Sequence, residues 1–157
     1  MAKKVLKTWH VVQTVELGAP ARKVWDLVGG FYIIHTWHPD ITRTEVPPGQ
    51  TETAAIRRLL TFPGQPKTTE ELVMMNNEGF HYRYKWHAGE WGERIRNYVA
   101  DLRVFDLVMC KRSIVQWSST FLFTEDALSE FYLNGFRALE KRFPLPQAAK
   151  AHGRTKA

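Results

Sequence analysis

The chain has 157 residues, 44% of them hydrophobic, 24% charged and 13% aromatic, which excludes a disordered or low-complexity chain and fits a single domain. One cysteine, Cys110, excludes an internal disulfide framework and any CxxC motif, and a chain this long buries enough surface to fold without metal or disulfide. The net charge of +6 sits at the ends: Lys3, Lys4, Lys7, Lys141, Arg142, Lys150, Arg154 and Lys156 leave 14 basic residues in the body against all 16 acidic ones, which argues against a nucleic-acid-binding face.

Trp9–Leu17 (WHVVQTVEL) is rich in β-branched residues and predicts a strand. Gly18-Ala-Pro20 ends it, and Pro20 suits the start of a short helix over Ala21–Val28, because its fixed φ is helical and its missing N–H is no loss there. Gly29-Gly30 breaks that helix. A second short helical segment is expected over Phe31–Trp37, stopping before Pro39, so that the stretch from Gly29 to Pro39 reads as a bent lid.

Strands follow. Ile41–Val46, Ala54–Thr61 and Thr68–Met75 are punctuated by Pro47-Pro48-Gly49, Pro63-Gly64 and Asn76-Asn77-Glu78-Gly79. Phe80–Trp86 alternates most clearly: Phe80, Tyr82, Tyr84 and Trp86 share one face, His81, Arg83, Lys85 and His87 the other, so one face is covered and one is wet. Arg94–Phe105 and Lys111–Phe123 are long strands joined by a short connection, which demands antiparallel pairing. The last element is a helix over about Glu125–Phe143, with Thr124 as N-cap, Glu125 and Asp126 in its first turn, and an apolar stripe of Leu128, Phe131, Tyr132, Gly135, Phe136, Leu139 and Phe143. Its length of about 28 Å is enough to cross a sheet. The fold class is therefore α+β: a seven-stranded antiparallel sheet curled around a long C-terminal helix, with two short helices after the first strand. The domain spans 8–143, and the basic stretches 1–7 and 144–157 read as flexible tails. No apolar run exceeds four residues, so a membrane span and a signal-peptide core are not expected and a cytoplasmic location is.

A sheet wrapped on a helix leaves a hollow wherever side chains do not meet, and Gly135 removes a side chain from the helix surface that faces it. Trp25, Trp37, Tyr82, Tyr84, Trp86, Tyr98, Trp117, Phe121 and Tyr132 fall mostly on inward positions, more rings than a close-packed core of this size needs. Such a cavity with a few polar tips points to a hydrophobic or aromatic, partly oxygenated small molecule as partner. His35 and His38 flank Trp37 and are placed to act at the cavity mouth, His38 as acid or base. Only one of Glu70 and Glu71, and one of Arg57 and Arg58, faces inward; Glu70 and Arg58 are the ligand-binding candidates, as a base of raised pKa and an anion anchor. Ser119 shares the face of Trp117, Phe136 lies on the helix stripe beside Gly135, and Tyr98 shares the parity of Ala100, Leu102 and Val104. No nucleophile elbow, Walker loop, dinucleotide fingerprint or third metal ligand is present, so no cofactor and no metal are implied.

The ordered series VELGAPARKVWDLVGGF, Trp37-His-Pro39, Arg57-Arg58-Leu59, Glu70-Glu-Leu72, Phe80–Trp86, Asn97-Tyr98, Val115-Gln-Trp117 and Tyr132-Leu-Asn-Gly-Phe136 resembles the SRPBCC (START, birch-pollen-allergen-like) superfamily, in its polyketide cyclase/dehydrase and lipid-transport branch. The resemblance implies a helix-grip architecture with a deep apolar cavity, and adds Asn97 to the lining as partner of Tyr98. The leading expectation is cofactor-free cyclisation or dehydration of a polyketide-like substrate, with Tyr84, Tyr98 or His38 moving protons. The alternative is a carrier or sensor of a hydrophobic molecule or lipid, and a homodimer is left open.

Overall fold

The computed structural model describes residues 5–49, 56–89, 95–123 and 128–147. The start expected at Ala54, Arg94, the Thr124 cap with Glu125 and Asp126, Lys3, Lys4 and the tail from Lys150 lie outside the described residues. In chain order the elements are β1 (Lys7–Leu17), α1 (Ala21–Val28), a 3₁₀ turn (Ile34–Thr36), β2 (Arg43–Glu45), β3 (Arg57–Thr61), β4 (Thr68–Asn76) and β5 (His81–Gly89). Then come β6 (Arg96–Leu107), a further 3₁₀ turn (Val108–Cys110), β7 (Arg112–Phe123) and α2 (Ser129–Arg142). The strands form one antiparallel seven-stranded sheet in the order β1-β7-β6-β5-β4-β3-β2, the helix-grip arrangement.

Alternation sets the inner face. Val11, Val15 and Leu17 of β1, Ser113, Val115, Trp117, Ser119, Phe121 and Phe123 of β7, Tyr98, Ala100, Leu102 and Val104 of β6, and Tyr82 and Tyr84 of β5 are buried. The parity argument for Tyr98 therefore holds. Three irregularities bend the ribbon, one of them between Thr69 and Glu70 in the β4–β5 pairing. The register shifts between Leu72 and Met74, leaving Val73 half-exposed, and again between Arg96 and Val99, where Asn97 has a φ of 55°; extra residues of this kind increase twist and curl. Register also assembles a polar row: Arg58 lies opposite Glu70, and Glu70 opposite Trp86. Glu71 pairs with Arg57 and Lys85 on the outer face, so the Glu70/Glu71 and Arg57/Arg58 alternatives resolve to Glu70 and Arg58 inside.

Helix α2 buries Tyr132, Gly135, Phe136 and Leu139 against the concave face. Its end is clamped: Gly18 N–H donates to Phe143 O at 2.9 Å, and a Cβ on Gly18 would fall 1.9 Å from Pro144 O, so Pro144 and Leu145 lie against the sheet end instead of leaving it as tail.

The second helical segment expected over Phe31–Trp37 is shorter than predicted, a single turn over Ile34–Thr36. The physical reason lies in the next two residues. Trp37 and His38 are both buried although adjacent, and a continuing helix would turn them about 100° apart; Trp37 instead leaves helical geometry with φ −130° and ψ −22°. Among the described residues no helix is long and apolar enough to cross a membrane.

Candidate functional site

A cavity of about 470 Å³ opens at one end of the barrel, where α2 begins. Its wall is contributed by five segments: Pro39 and Asp40 after the 3₁₀ turn, Phe62, Pro63 and Gln65 between β3 and β4, Thr68 and Glu70 on β4, Trp86, Ile95 and Tyr98 around β5 and β6, and Leu128 and Phe131 at the head of α2. Two ring pairs dominate it, Trp86 with Tyr98 (centroids 4.6 Å apart) and Phe62 with Phe131 (5.9 Å).

The expected hollow under the middle of the helix is not there. Trp117 stacks on Tyr132 at 4.5 Å and 22°, with Phe136 at 6.3 Å and Trp37 at 5.7 Å completing the fill. Behind the wall runs a chain of hydroxyls. Trp117 Nε1–H donates to the Tyr84 hydroxyl (2.9 Å), which lies 3.2 Å from that of Tyr98, itself 2.8 Å from that of Tyr132. An indole N–H only donates, so Tyr84 accepts there, while in the Tyr84–Tyr98 and Tyr98–Tyr132 contacts either hydroxyl can donate. Burial pushes the Tyr84 and Tyr98 phenols well above their ordinary range, with the neighbouring phenols and the Glu70 carboxylate adding to it. Both stay protonated at neutral pH and act through O–H, not as bases. Only Tyr98 of the three reaches the cavity wall.

Glu70 floors the cavity. Its Oε2 accepts from Arg58 Nε at 2.7 Å and lies 2.6 Å from Nη2, and the Trp86 indole N–H also bonds to it. Arg58 is fully buried, with Nη1 donating to Phe31 O at 2.7 Å and its guanidinium 4.1 Å from the Phe31 ring and 5.0 Å from Tyr84. Burial presses on the Arg58 charge, but Glu70 and the phenol oxygens of Tyr82 and Tyr84 more than offset it, and the group stays cationic. Burial likewise raises the Glu70 carboxyl against the pull of Arg58 and Trp86. Arg58 is thus consumed internally and does not reach the cavity, which corrects its expected role as an anchor for a ligand anion.

His38 is also placed differently from expectation. It is 1% exposed, stacked on Phe131 at 4.0 Å, and both ring nitrogens are engaged: Asp40 N–H donates to Nδ1 (3.2 Å), and Nε2 bonds Phe131 O (2.9 Å). A carbonyl only accepts, so Nε2 carries the proton and the ring is neutral. Burial lowers its pKa to about 4, outweighing the Phe131 carbonyl and Asp40. It is a strut between the Gly29–Pro39 segment and α2, not an acid or base open to a ligand.

Gly135 admits that strut. A Cβ there would lie 2.6 Å from His38 Cδ2, 2.9 Å from Nε2 and 3.2 Å from Trp37 Cζ3, so the space it frees is filled by the lid residues and is not part of the cavity. Gly135→Ala gains about 1 kcal/mol of helix propensity but displaces the ring and its bond to Phe131 O. We expect a net loss of about 1–2 kcal/mol, read as a lower Tm; an unchanged or raised Tm would contradict this packing.

Of the residues expected at the site, Glu70, Trp86 and Tyr98 lie on the cavity wall; Tyr84, Trp117 and Tyr132 connect to it through the hydroxyl chain. Trp25 and Tyr82 lie off the cavity wall in a ring cluster with Phe31 and Phe80 that joins the hydroxyl chain at Tyr84, Trp25 Nε1 donating to Asn77 Oδ1. Phe121 backs Tyr98 (6.3 Å), and Ser119 is buried off the wall. His35 and Asn97 are exposed, one on the outer side of the 3₁₀ turn and the other in the β6 irregularity, and neither lines the cavity. Sequence reasoning missed Asp40, Phe62 and Thr68 as wall residues and Phe131 as more than helix stripe. The available signal was position: each ends a segment pointing to the same end of the sheet. Among the described residues no group of three His, Cys, Asp or Glu side chains is arranged to hold a metal ion.

Comparison with known proteins agrees with this architecture. No curated protein matches the sequence significantly. Among solved structures, the protein XoxI of Bacillus cereus is similar at 26% identity and a TM-score of 0.73, over 85% of this chain and 94% of that one. Major latex-like protein 151 of Panax ginseng (17% identity, TM-score 0.71, 88% of this chain and 99% of that one) shares the fold. So does the Zhui aromatase/cyclase of a Streptomyces species (13%, TM-score 0.68, 87% and 93%). The family model described as polyketide cyclase / dehydrase and lipid transport matches residues 8–143. The chain therefore belongs to the polyketide cyclase/dehydrase and lipid transport family.

Proposed function

We propose that this chain holds a small, largely apolar ring compound in the cavity at the head of α2, with the compound's polar group directed to Tyr98 and Glu70. One observation carries the reading: a volume of about 470 Å³ walled by Trp86, Tyr98, Phe62 and Phe131, with the Tyr98 phenol and the Glu70 and Asp40 carboxylates among its charged or protic groups. Drug-sized ligands occupy cavities of about 300–1,000 Å³ with this kind of lining. Membership of a family described by both cyclisation and lipid transport is compatible with it.

Isothermal titration with 2-naphthylmethanol, a neutral hydroxyl-bearing bicycle, tests the reading. Binding is expected, weakened about tenfold or more by Trp86→Ala and about three- to tenfold by Tyr98→Phe, the range for one lost hydrogen bond. Absence of binding to the wild type, or indifference to Trp86→Ala, would count against it.

A second reading, cofactor-free cyclisation and dehydration of a polyketide-like chain, is favoured by the hydroxyl chain that ends on the wall at Tyr98. In it the cavity holds the substrate folded near its reacting geometry, Tyr98 protonates the hydroxyl that leaves as water while the Glu70 carboxylate takes the proton from the neighbouring carbon as the C=C bond forms, and that proton returns to Tyr98 before the next turnover. Recovery of the bound compound separates the two: holding returns it unchanged, whereas turnover yields a dehydrated product whose formation stops in Tyr98→Phe.

A further inference from the structure

We propose that the cavity selects a ligand carrying a protonated amine on its hydrophobic body, with Asp40 as the counter-ion; this rests on the cavity reading above and goes beyond it by assigning the ligand's charge. The wall presents acceptors and π-faces. Its carboxylates are Asp40 and Glu70, and among the described residues lining it there is no lysine, arginine or histidine.

The two carboxylates are not equivalent. Glu70 is compensated by Arg58, with contacts at 2.6 and 2.7 Å, so the pair is neutral as a unit. Asp40 has no such partner. Its Oδ2 accepts from the neutral Asn134 amide at 3.0 Å, its backbone N–H donates to a neutral His38, and among the described residues no cationic group lies within ion-pair distance of it. Asn134 in turn accepts from Arg137 at 2.8 Å, so a cation stands behind the amide and not at the carboxylate, and among the described residues the Asp40 charge has no direct counter-ion.

The uncharged groups point the same way. Tyr98 lies in hydrogen-bond contact with the Tyr84 and Tyr132 hydroxyls, 2.8 Å from the latter, and its oxygen can also accept from an N–H donor in the cavity. Trp86, Tyr98, Phe62 and Phe131 supply the negative faces that attract ammonium groups. A carboxylate, sulfonate or phosphate entering here would meet Asp40 with no cation to meet it in turn.

Three naphthalenes of one shape separate the possibilities at pH 7 by isothermal titration: 2-naphthylmethylamine, 2-naphthylmethanol and 2-naphthoic acid. The amine is expected to bind about tenfold tighter than the alcohol and the acid weaker than both, as cation–π attraction and a counter-ion together allow. Asp40→Asn keeps the bond to Asn134 possible, and a matching amide spectrum and Tm check its fold. In this variant the preference for the amine over the alcohol should be lost. Equal binding of amine and alcohol by the wild type, binding of the acid as tight as the alcohol, or an amine preference that survives Asp40→Asn would overturn the assignment while leaving the cavity reading intact. Failure of all three compounds to bind would remove the cavity reading, and this inference with it.

Discussion

Replacing Glu70 with glutamine is expected to lower the free energy of unfolding by about 3–5 kcal/mol, the range for removing one member of a buried ion pair. The loss comes from Arg58 more than from Glu70. The guanidinium is fully buried, and without the carboxylate its charge would keep only the Phe31 carbonyl and the flanking rings as partners. Urea denaturation measures the change directly. The same reasoning predicts that the double change Arg58→Met, Glu70→Leu restores most of the loss, because it removes both charges together and fills their space. A Glu70→Gln variant within about 1 kcal/mol of wild type, the range of an exposed pair, would show that the pair is solvated and contributes little.

The second large effect is on pH dependence. His38 has a folded-state pKa of about 4, below the ordinary value of about 6.5 for the unfolded chain. As pH falls through this interval the unfolded chain takes up the proton first, so stability present above pH 6.5 is lost progressively down to about pH 4. A shift of this size corresponds to about 3 kcal/mol. His38→Gln provides the reference, since glutamine can still donate toward Phe131 O and accept from Asp40 N–H but does not titrate. The difference in unfolding free energy between wild type and His38→Gln should shrink by about 3 kcal/mol between pH 7 and pH 4. A difference constant with pH would mean that His38 titrates normally and is open to solvent.

Much of the architecture could be read from residue order. The alternation of Tyr82, Tyr84 and Trp86 against Arg83, Lys85 and His87 leaves no choice of face, and Pro20 and Gly29 bracket α1 at the observed residues. The site was harder to read, for a physical reason. Parity shows that Trp117, Tyr132 and Trp37 point inward, but whether an inward ring meets another ring or empty space depends on the crossing of α2 over β7, which no local pattern encodes. The rings close on one another beneath the middle of α2 and part only at its head. Thr68 reaches the cavity on β4, paired with Leu60, and Phe62 and Ile95 reach it from just beyond the end of β3 and just before the start of β6. A mid-helix glycine such as Gly135 signals close approach, but the sequence does not say whether a ligand or a neighbouring side chain makes it. Here His38 does. Asp40 follows a Pro in a loop and carries no pattern at all; its importance lies in having no cationic partner among the described residues, a property only the folded chain reveals.

The central claim is that ligand space lies at the head of α2 and not beneath its middle. The six tryptophans report on it separately through their indole N–H resonances. Trp86 borders the cavity, whereas Trp117 is sealed behind it with its N–H on Tyr84. Nitrogen–proton correlation spectra during titration with 2-naphthylmethanol should move the Trp86 indole resonance progressively and leave that of Trp117 nearly in place. Movement of Trp117 with a stationary Trp86, or no movement of either at saturating compound, would contradict the account.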